Sequence, residues 1–481
     1  MAMPPRRVET LRPRTQARAP ISAPRYVEPL PEEPYELEVT DTEADHEGWR
    51  PSGLLEWFAV AQTALPALLY LPGNQQSRAG IRAAAFVISV VAFVFWYLDR
   101  RTNDRVSHPA TRWLALSVAT LAFMLVHPQT ESWLAGVAQI TLYFAVLCPI
   151  YWVPGFVSSR RKLIRVLVIL LICNGVNSGV GVLQVYDPAR WLPAEFSSTI
   201  SRQQIAISTY AGPNGRRVVR PPGLFDTPGA VCGAGTVAAL LGLILCLEPM
   251  AWWKRLGALG FAGMGLAAIY LSHVRSSFIV ALAMMIAYVG MLAVQKQRRR
   301  MVGFLGLAVG MLVLALSFAT LLGGASVQDR FMSVFQGDPR DLYAETRGAQ
   351  LRTAFGEVLS DYPMGAGLAR WGTTANVVGT PVSRQLWAEI QPVAWMLDGG
   401  LFLTCFYSLA LISALIWEVK LVFKLPDPDD RLWASAVVAA NLGTLALVAT
   451  FVPFATQPGL QYWFLEGLLQ GAMAVKLHQS A

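Results

Sequence analysis

The chain contains about twelve predominantly apolar stretches, most of them of about 17 to 25 residues, and these constrain its fold more than any other feature. A helix of that length crosses the hydrocarbon core of a bilayer, and in lipid a helix satisfies its own backbone hydrogen bonds. Since 54% of the 481 residues are hydrophobic and 15% are charged, the chain has more apolar surface than a soluble core requires. We therefore predict an all-α integral membrane protein, a polytopic bundle of about twelve transmembrane helices.

The boundary of each predicted span is set where charged or polar residues interrupt the apolar run. The spans run approximately from Leu54 to Leu71, Ile81 to Leu98, Trp113 to Val126, Trp133 to Trp152, Leu163 to Val185, Ala230 to Leu247, Leu256 to Leu271, Phe278 to Val294, Val302 to Leu322, Val393 to Trp417, Leu432 to Val452 and Leu460 to Val475. The membrane domain is predicted to take up residues 51–481.

Residues 1–50 have a different composition. This segment is basic up to Arg25, acidic from Glu28 to Glu47, rich in proline and without a helical apolar stripe. A segment of this kind cannot bury enough apolar surface to offset the entropy of ordering. We predict a disordered cytoplasmic tail.

The lysines predict the topology. All six lie in or beside short loops that the positive-inside rule places in the cytoplasm: Lys162, Lys254, Lys296, Lys420, Lys424 and Lys476. Both termini are then cytoplasmic, and two long loops, 186–229 and 323–391, face outward. In this arrangement arginine is the only permanently basic residue on the outer side.

Charge and cysteine content exclude two classes of function. The net charge of +8, from 39 basic and 31 acidic residues, comes from basic residues in loops between helices, where they report topology rather than a nucleic-acid surface. The five cysteines lie within apolar runs without the spacing of a disulfide framework or a zinc site. We therefore expect no nucleic acid partner and no metal.

Three outward arginines lie in short motifs that suit an anion. Arg220 begins RPPGLFDTPG, Arg275 lies in SHVRSS and Arg347 in TRGAQLR. A planar guanidinium binds phosphate through two parallel hydrogen bonds. The prolines and glycines after Arg220 lead into a helix start, whose free N–H groups also favour an anion. The alternative for Arg220 is a capped helix entry with a snorkelling arginine.

The turn around Arg275 lies between two apolar helices. A charge at that depth is costly unless it is paired or solvated, so the partner of Arg275 is either a carboxylate of the protein or a bound anion. His273 beside it is a candidate for proton transfer, and the alternative is a hydrogen-bonding residue at a helix end.

Residues 342–359 predict an amphipathic helix. Its apolar stripe, Leu351, Phe355, Val358 and Leu359, continues one turn earlier at Arg347, which should therefore point into the protein body. Arg352 lies off the stripe and faces either a cleft or water.

The order of these motifs resembles one family. Leu183-Gln184 at the end of a span, RPPGLFDTPG before the next, LSHVRSS, and an arginine-bearing helix ending in YPMGAGL are similar to the O-antigen ligase and polymerase family of bacterial surface-polysaccharide assembly. The resemblance covers the chain from the fifth span to the C-terminus. It implies a metal-independent membrane glycosyltransferase of the GT-C type, without a cofactor, in the bacterial cytoplasmic membrane.

The resemblance also implies partners and roles. The enzyme would take a glycan from an undecaprenyl diphosphate carrier on the outer face and pass it to a glycan or lipid acceptor, among membrane lipids and other polysaccharide-assembly proteins. Arg220, Arg275 and Arg347 would bind the diphosphate. Arg352, Asp226 and His273 would lie around the same substrate.

One departure from the family bears on the acceptor. Ligases of the family carry a histidine in the outer loop just before the helix that is predicted here near Val393, and this chain has no histidine between His273 and His478. The departure favours a polymerase or an atypical transferase. Another group must then accept the proton of the acceptor hydroxyl, and Glu389 is the first candidate, with Glu345 or Asp226 behind it.

Two alternatives stay open. A lipid-linked glycan flippase or other transporter would need charged groups at the bilayer midplane and paired broken helices. Glu56 is the main buried-charge candidate in the sequence, which shows no such pair. The other alternative is a family member without activity that holds assembly proteins together through its tail.

Overall fold

A computed structural model describes most of the chain from residue 53 onward. The described residues are 53–71, 77–98, 107–157, 159–192, 209–211, 217–225, 227, 229–272, 274–323, 347–372, 374–380, 383 and 385–474. The chain divides into two units, Met1–Arg50 and Pro51–Ala481. The first unit, which includes the predicted tail, lies outside the described residues, and so does Lys476.

The second unit is built from helices. Within the described residues the principal ones are α1 (Leu54–Thr63), α2 (Arg78–Leu98), α3 (Thr111–Phe123), α4 (Trp133–Leu147), α5 (Arg160–Tyr186), α6 (Val231–Leu245), α7 (Trp252–Leu271), α8 (Arg275–Val294), α9 (Arg298–Gly323), α10 (Arg347–Thr353), α11 (Gln391–Lys424), α12 (Pro428–Leu447) and α13 (Gln457–Leu469). Short helical turns extend or join them at Leu65–Tyr70, Met124–Val126, Pro149–Trp152, Val153–Gly155, Pro188–Trp191, Thr374–Val377, Pro453–Ala455 and Gln470–Ala474.

A two-stranded antiparallel hairpin interrupts the helical pattern. Strand β1 (Thr209–Ala211) pairs with β2 (Arg217–Val219), with Thr209 opposite Val219. The hairpin lies within the long segment between α5 and α6, directly before Arg220.

Among the described residues, six helical segments are long and apolar enough to cross a membrane. They are Arg78–Leu98, Trp133–Gly155, Arg160–Tyr186, Ser276–Val294, Arg298–Leu321 and Gln391–Lys424, and two shorter apolar helices are Thr111–Val126 and Val231–Leu245. The predicted helical membrane protein is therefore confirmed at this level, while the twelve crossings stay a prediction.

The outer surface of the bundle is apolar where helices face outward. On α9 the side chains of Val302, Leu305, Val309 and Val313 are each more than half exposed. Exposed apolar patches of this extent are rare on soluble monomers and mark contact with another apolar phase. Lipid satisfies this surface, so the bundle is membrane-embedded.

Ion pairs join the helices at one end of the bundle, where α5, α9 and α12 begin. Arg160 contacts Asp427 at 2.7 Å and Asp430 at 3.3 Å, and Arg300 contacts Asp429 at 2.5 Å. The five described lysines, Lys162, Lys254, Lys296, Lys420 and Lys424, all lie at helix ends on this side. We call it the lysine end.

The opposite end is where α5 and α12 finish and where α6, α8 and α11 begin. The Gln391 N–H at the start of α11 donates to the Val448 carbonyl just after α12 at 3.2 Å, and a Cβ on Gly181 of α5 would overlap Val231 at the start of α6. This end carries the three candidate arginines, Arg220, Arg275 and Arg347, and we call it the arginine end. The lysine-based topology predicts that all three lie on the side opposite the lysines.

Two helix boundaries differ from the predictions for identifiable reasons. The first span is broken after Thr63, because Pro66 removes a backbone donor and starts a 3₁₀ turn at Leu65–Tyr70. The tenth predicted span ends where Glu418 interrupts the apolar run. In the structure the helix continues to Lys424, and Glu418 is buried within it.

Helix α11 also contains a sharp break. Gly399 has φ −153° and Gly400 φ +61°, which is the left-handed region that favours glycine. The YPMGAGL turn lies against this break: the Ala366 N–H donates to the Leu397 carbonyl at 2.7 Å, and the Leu401 N–H donates to the Pro363 carbonyl at 3.2 Å. The glycine-rich turn therefore satisfies backbone groups that the broken helix leaves open.

Candidate functional site

The end of α5 holds the backbone of the RPPGLFDTPG segment. Gln184 donates from Nε2 to the Gly223 carbonyl at 2.8 Å and accepts the Gly223 N–H at 2.9 Å. Asn177, two turns earlier, accepts the Leu224 N–H at 2.6 Å, and both amide side chains are buried. Because these bonds go to main-chain atoms, they fix the path of the turn directly after Arg220, Pro221 and Pro222.

Gly223 is required at the centre of this turn. Its φ is +67°, and a Cβ added there would overlap the Asn177 Oδ1. The Tyr70 hydroxyl donates to the Gly223 carbonyl as well, and Gln184 Nε2 donates to the Tyr70 oxygen at 2.9 Å. Three side chains from two separate helical segments therefore converge on one glycine.

Arg220 is half-buried at the entry to this turn. Its Nε is buried and has no hydrogen-bond partner among the described residues. A buried donor without an acceptor is costly, so a site that leaves one open is suited to a ligand that supplies the acceptor. The described part of the protein thus presents an open guanidinium donor beside a fixed turn at the arginine end.

The second arginine motif packs beside the first. Gly229, with φ +76°, lies so close to Val274 that an added Cβ would come within 2.9 Å of the Val274 Cγ2. The Ser277 hydroxyl contacts the Cys232 Sγ at 2.8 Å, which joins the first turn of α8 to the first turn of α6. The backbone of SHVRSS is therefore adjacent to the end of RPPGLFDTPG.

The structure describes several predicted site residues only in part or not at all. Arg275 is the first residue of α8, next to Val274, but its side chain lies outside the described residues. His273, Asp226 and Glu345 also lie outside them. Their predicted roles stay predictions.

Arg347 and Glu389 form an ion pair. The Trp387 Nε1 donates to the same carboxylate, at Oε1, over 2.9 Å, and the Glu389 N–H donates to Gln350 at 3.3 Å. Each partner is about a third exposed, Arg347 at 35% and Glu389 at 32%, so Arg347 points less deeply into the body than its stripe predicts. Arg352, left open between cleft and water, is exposed.

The predicted stripe after Arg347 is wrong at one position. Phe355 is 52% exposed, while Ala354 beside it is fully buried. Residues Ala354–Val358 form a π turn, whose extra residue per turn rotates the later side chains about the helix axis. The other three stripe residues, Leu351, Val358 and Leu359, pack against the start of α11 as predicted.

Arg370 anchors the outer segment between α10 and α11. It is 8% exposed and its Nε lies 3.7 Å from Glu131, in the loop before α4. Glu131 also accepts the Ser383 N–H at 2.6 Å and the Ser383 hydroxyl at 2.5 Å. These Ser383 hydrogen bonds, aided by the charge of Arg370, lower the pKa of the Glu131 carboxyl. Arg370 is therefore a structural arginine.

Asp398 is a buried carboxyl that the motifs did not reveal. It lies immediately before the break in α11 and accepts hydrogen bonds at Oδ2 from Gln139 at 3.0 Å, Tyr143 at 2.9 Å and Trp371 at 2.7 Å. It ties α4 and the outer segment to the broken helix. The available sequence signal was a carboxylate inside an apolar run.

The structure thus forms two groups at the arginine end. In the first, the Arg220 turn lies beside the backbone of the Arg275 motif. In the second, Arg347 pairs with Glu389. No group of three or more His, Cys, Asp or Glu side chains suited to a metal ion occurs in the described ranges. Sequence motifs missed Asn177, Asp398 and Arg370, whose partners are distant along the chain.

Comparisons with known proteins add no relative. No family model matches the chain, and no curated protein matches it either.

Proposed function

We propose that this chain is a membrane glycosyltransferase that transfers or polymerises a glycan carried on undecaprenyl diphosphate at the outer face of the bacterial cytoplasmic membrane. The proposal includes twelve crossings and a GT-C-like arrangement. In support, six helical segments in the described part of the chain are long and apolar enough to cross a membrane. With twelve crossings, both termini would face the cytoplasm, where the positive-inside rule places the lysines.

The observation that supports this function best is the fixed Arg220 with its open Nε. A diphosphate leaving group accumulates negative charge as its bond to the sugar breaks. A preorganised donor at that charge is worth about 3 to 4 kcal/mol in the transition state. The turn held by Gln184 and Asn177 supplies such preorganisation, because the arginine is positioned before any ligand binds.

The reaction balances with groups at the arginine end. The acceptor hydroxyl oxygen forms a bond to the anomeric carbon, and the bond from that carbon to the diphosphate oxygen breaks. The diphosphate leaves with the electron pair, and Glu389 accepts the hydroxyl proton. Arg347, which pairs with Glu389, would orient the carboxylate for this role. Arg275, at the start of α8, would hold the diphosphate together with Arg220.

An apolar groove below Arg275 suits the lipid part of the donor. It has a volume of about 210 Å³ and lies between α8 and α9, with Tyr270 at the end of α7. Phe278, Ala281 and Met285 line it from one turn after Arg275 inward, and Leu312 lies opposite on α9. A polyprenyl chain in this groove would place its diphosphate at the arginine end.

A glycan transporter is the second candidate, and one observation favours it. Fully buried carboxyls do occur within the described bundle, at Asp398, Glu418 and Glu466. Glu56, the candidate from sequence, is instead half-buried and lies 3.5 Å from Arg165 at the lysine end. Intramembrane carboxyls often serve ion-coupled transport.

Purified protein in lipid vesicles distinguishes the two functions. With a lipid-linked glycan donor added, we expect glycan products of increased length, and Glu389→Gln should reduce their rate on the order of 10² to 10⁴ fold. The same variant should bind the donor normally, since the base acts only on the acceptor. Movement of the donor between leaflets without product formation would support the transporter.

A matched control removes a carboxylate away from the site. Glu56→Gln, at the lysine end, should leave the transfer rate within about twofold, because its contact with Arg165 is a weak surface ion pair. Equal losses in both variants would indicate a general defect, and a normal rate in Glu389→Gln would contradict the assigned base.

A further inference from the structure

A buried polar cluster lies inside the bundle, among helices that the proposed reaction does not use. His108 precedes α3, Glu418 lies in α11, Asn441 in α12 and Glu466 in α13. The exposed fraction is 2% for His108 and zero for the other three. Four chain segments therefore meet at one polar point in an apolar core.

The hydrogen bonds define the protonation of His108. Its Nδ1 accepts the Ala110 N–H at 3.2 Å, so that nitrogen carries no proton. Its Nε2, 3.0 Å from Glu466 Oε1, is then the protonated nitrogen and donates to Glu466. His108 is thus a neutral donor in this geometry.

Asn441 lies between the two carboxyl groups. Its Nδ2 donates to Glu418 Oε2 and to Glu466 Oε2, each at 3.0 Å. The shared Nδ2 therefore brings the two carboxyl groups close together. Two carboxylates that are both ionised at this spacing in an apolar core would repel each other strongly, so a proton on one of them is favoured.

The two glutamates have unequal numbers of donors. Glu466 accepts from His108 and from Asn441, whereas Glu418 accepts only from Asn441, and its Oε1 has no partner among the described residues. The group with more donors is the better site for the negative charge.

We propose that Glu418 and Glu466 form an intramembrane proton-binding site in which one proton resides on Glu418 and is donated to an ionised Glu466. The other groups that face the pair are His108, Asn441 and Tyr462. The Tyr462 hydroxyl is fully buried, interacts electrostatically with both glutamates and has no hydrogen-bond partner in the described part of the chain.

A proton fits this site better than a metal cation. The Asn441 amide group occupies the space between the carboxylates with its donor side, where a cation would need an oxygen. A sodium or calcium ion would require several converging oxygens. The site is independent of the proposed glycosyl transfer, because it lies within the bundle and involves none of Arg220, Arg347 and Glu389.

Infrared spectroscopy tests the proposal on the full-length protein in lipid nanodiscs. A protonated carboxylic acid has a carbonyl stretch that is resolved from carboxylate bands. With ¹³C-labelled glutamate the band of Glu418 shifts, while any band of Asp398 stays in place. We expect one labelled acid band that persists at neutral pH in the unmutated protein, and its absence would overturn the proposal whether or not any variant folds.

The same substitution at the two glutamates should have opposite consequences. Glu418→Gln replaces a neutral acid by a neutral amide that can donate to Glu466, so the labelled acid band should disappear and the unfolding temperature should change little. Glu466→Gln removes the acceptor of His108 and Glu418, so it should lower the unfolding temperature while the acid band remains. Equal destabilisation by both variants, with the acid band retained in Glu418→Gln, would contradict the assignment.

The pH dependence of unfolding gives a further readout. In the native protein Glu418 keeps its proton. After unfolding it is an exposed glutamate, which releases the proton above about pH 5. Relative to Glu418→Gln, the unfolding equilibrium constant of the unmutated protein should therefore increase about tenfold per pH unit as pH rises. If sodium in place of choline in the buffer abolishes the acid band and stabilises the protein, the site binds a metal cation and the proposal fails.

Discussion

The two ends of the bundle use arginine in different ways. At the lysine end, Arg160, Arg165 and Arg300 contact carboxylates at 2.7, 3.5 and 2.5 Å. At the arginine end, the Nε of Arg220 is buried beside a turn that is held by main-chain hydrogen bonds, and no described group accepts from it.

This difference separates arginines that report topology from arginines that are available to a ligand. Positive residues on the cytoplasmic side orient a membrane protein, and a nearby carboxylate is enough to balance their charge. An arginine that is positioned by its neighbours but lacks an acceptor is preorganised for an anion. Arg347 is intermediate, because it pairs with the carboxylate that we assign as the base.

The largest effect is expected for Arg220→Lys. Lysine keeps the charge but loses the planar pair of donors, so glycan transfer should decrease on the order of 10² to 10³ fold. The measurement is the transfer rate in vesicles. Arg165→Lys, the same change at the lysine end, should stay within about twofold, and similar losses in both variants would erase the distinction between the ends.

Gly223→Ala should have the next largest effect. The φ of +67° and the overlap with Asn177 both oppose a Cβ, so the turn after Arg220 should be destabilised by about 2 kcal/mol or more. Thermal unfolding in detergent measures this change. Gly257→Ala is the control, since a Cβ there meets nothing within 4 Å in α7, and alanine should stabilise that helix by up to about 1 kcal/mol.

Asp430→Asn tests whether an ion pair at the lysine end stabilises the fold without taking part in the reaction. Asp430 is 4% exposed and contacts Arg160 at 3.3 Å, but Arg160 retains its shorter contact with Asp427. We expect a loss of about 1 kcal/mol in unfolding free energy and an unchanged rate of transfer. A large loss of activity would mean that the lysine end takes part in the reaction.

The smallest effect concerns Glu131 at the arginine end. Its pKa is lowered by the hydrogen bonds from Ser383, so the contact stabilises the folded loop at neutral pH and is lost as pH falls through the lowered value. The protection of the Ser383 amide against hydrogen exchange, relative to its intrinsic rate at each pH, should therefore be lost in acid, below the usual range of a glutamate. An exchange rate that shows no such acid step would indicate that Ser383 is protected by other contacts.

Hydropathy was sufficient for the membrane helices because the bilayer demands long apolar runs. Hydropathy could not predict the contacts that hold the turn after Arg220. The Gln184 and Asn177 hydrogen bonds join residues that are 39 and 47 positions apart along the chain. The π turn that exposes Phe355 has no apolar signature, so a regular helical period predicted that side chain wrongly. The sequence also pointed to Glu56 as the main buried-charge candidate, whereas Glu466, in the apolar run Trp463 to Leu469, is fully buried.

The break at Gly399 and Gly400 has a consequence for biosynthesis. Residues 363–366 are synthesised before α11, yet their backbone partners are Leu397 and Leu401 within it. The outward segment therefore cannot complete its hydrogen bonds until the following helix has left the ribosome and entered the bilayer. Helix α11, in turn, would expose open backbone groups to lipid if it were inserted without that segment. Folding of this segment and insertion of the helix must accordingly finish together.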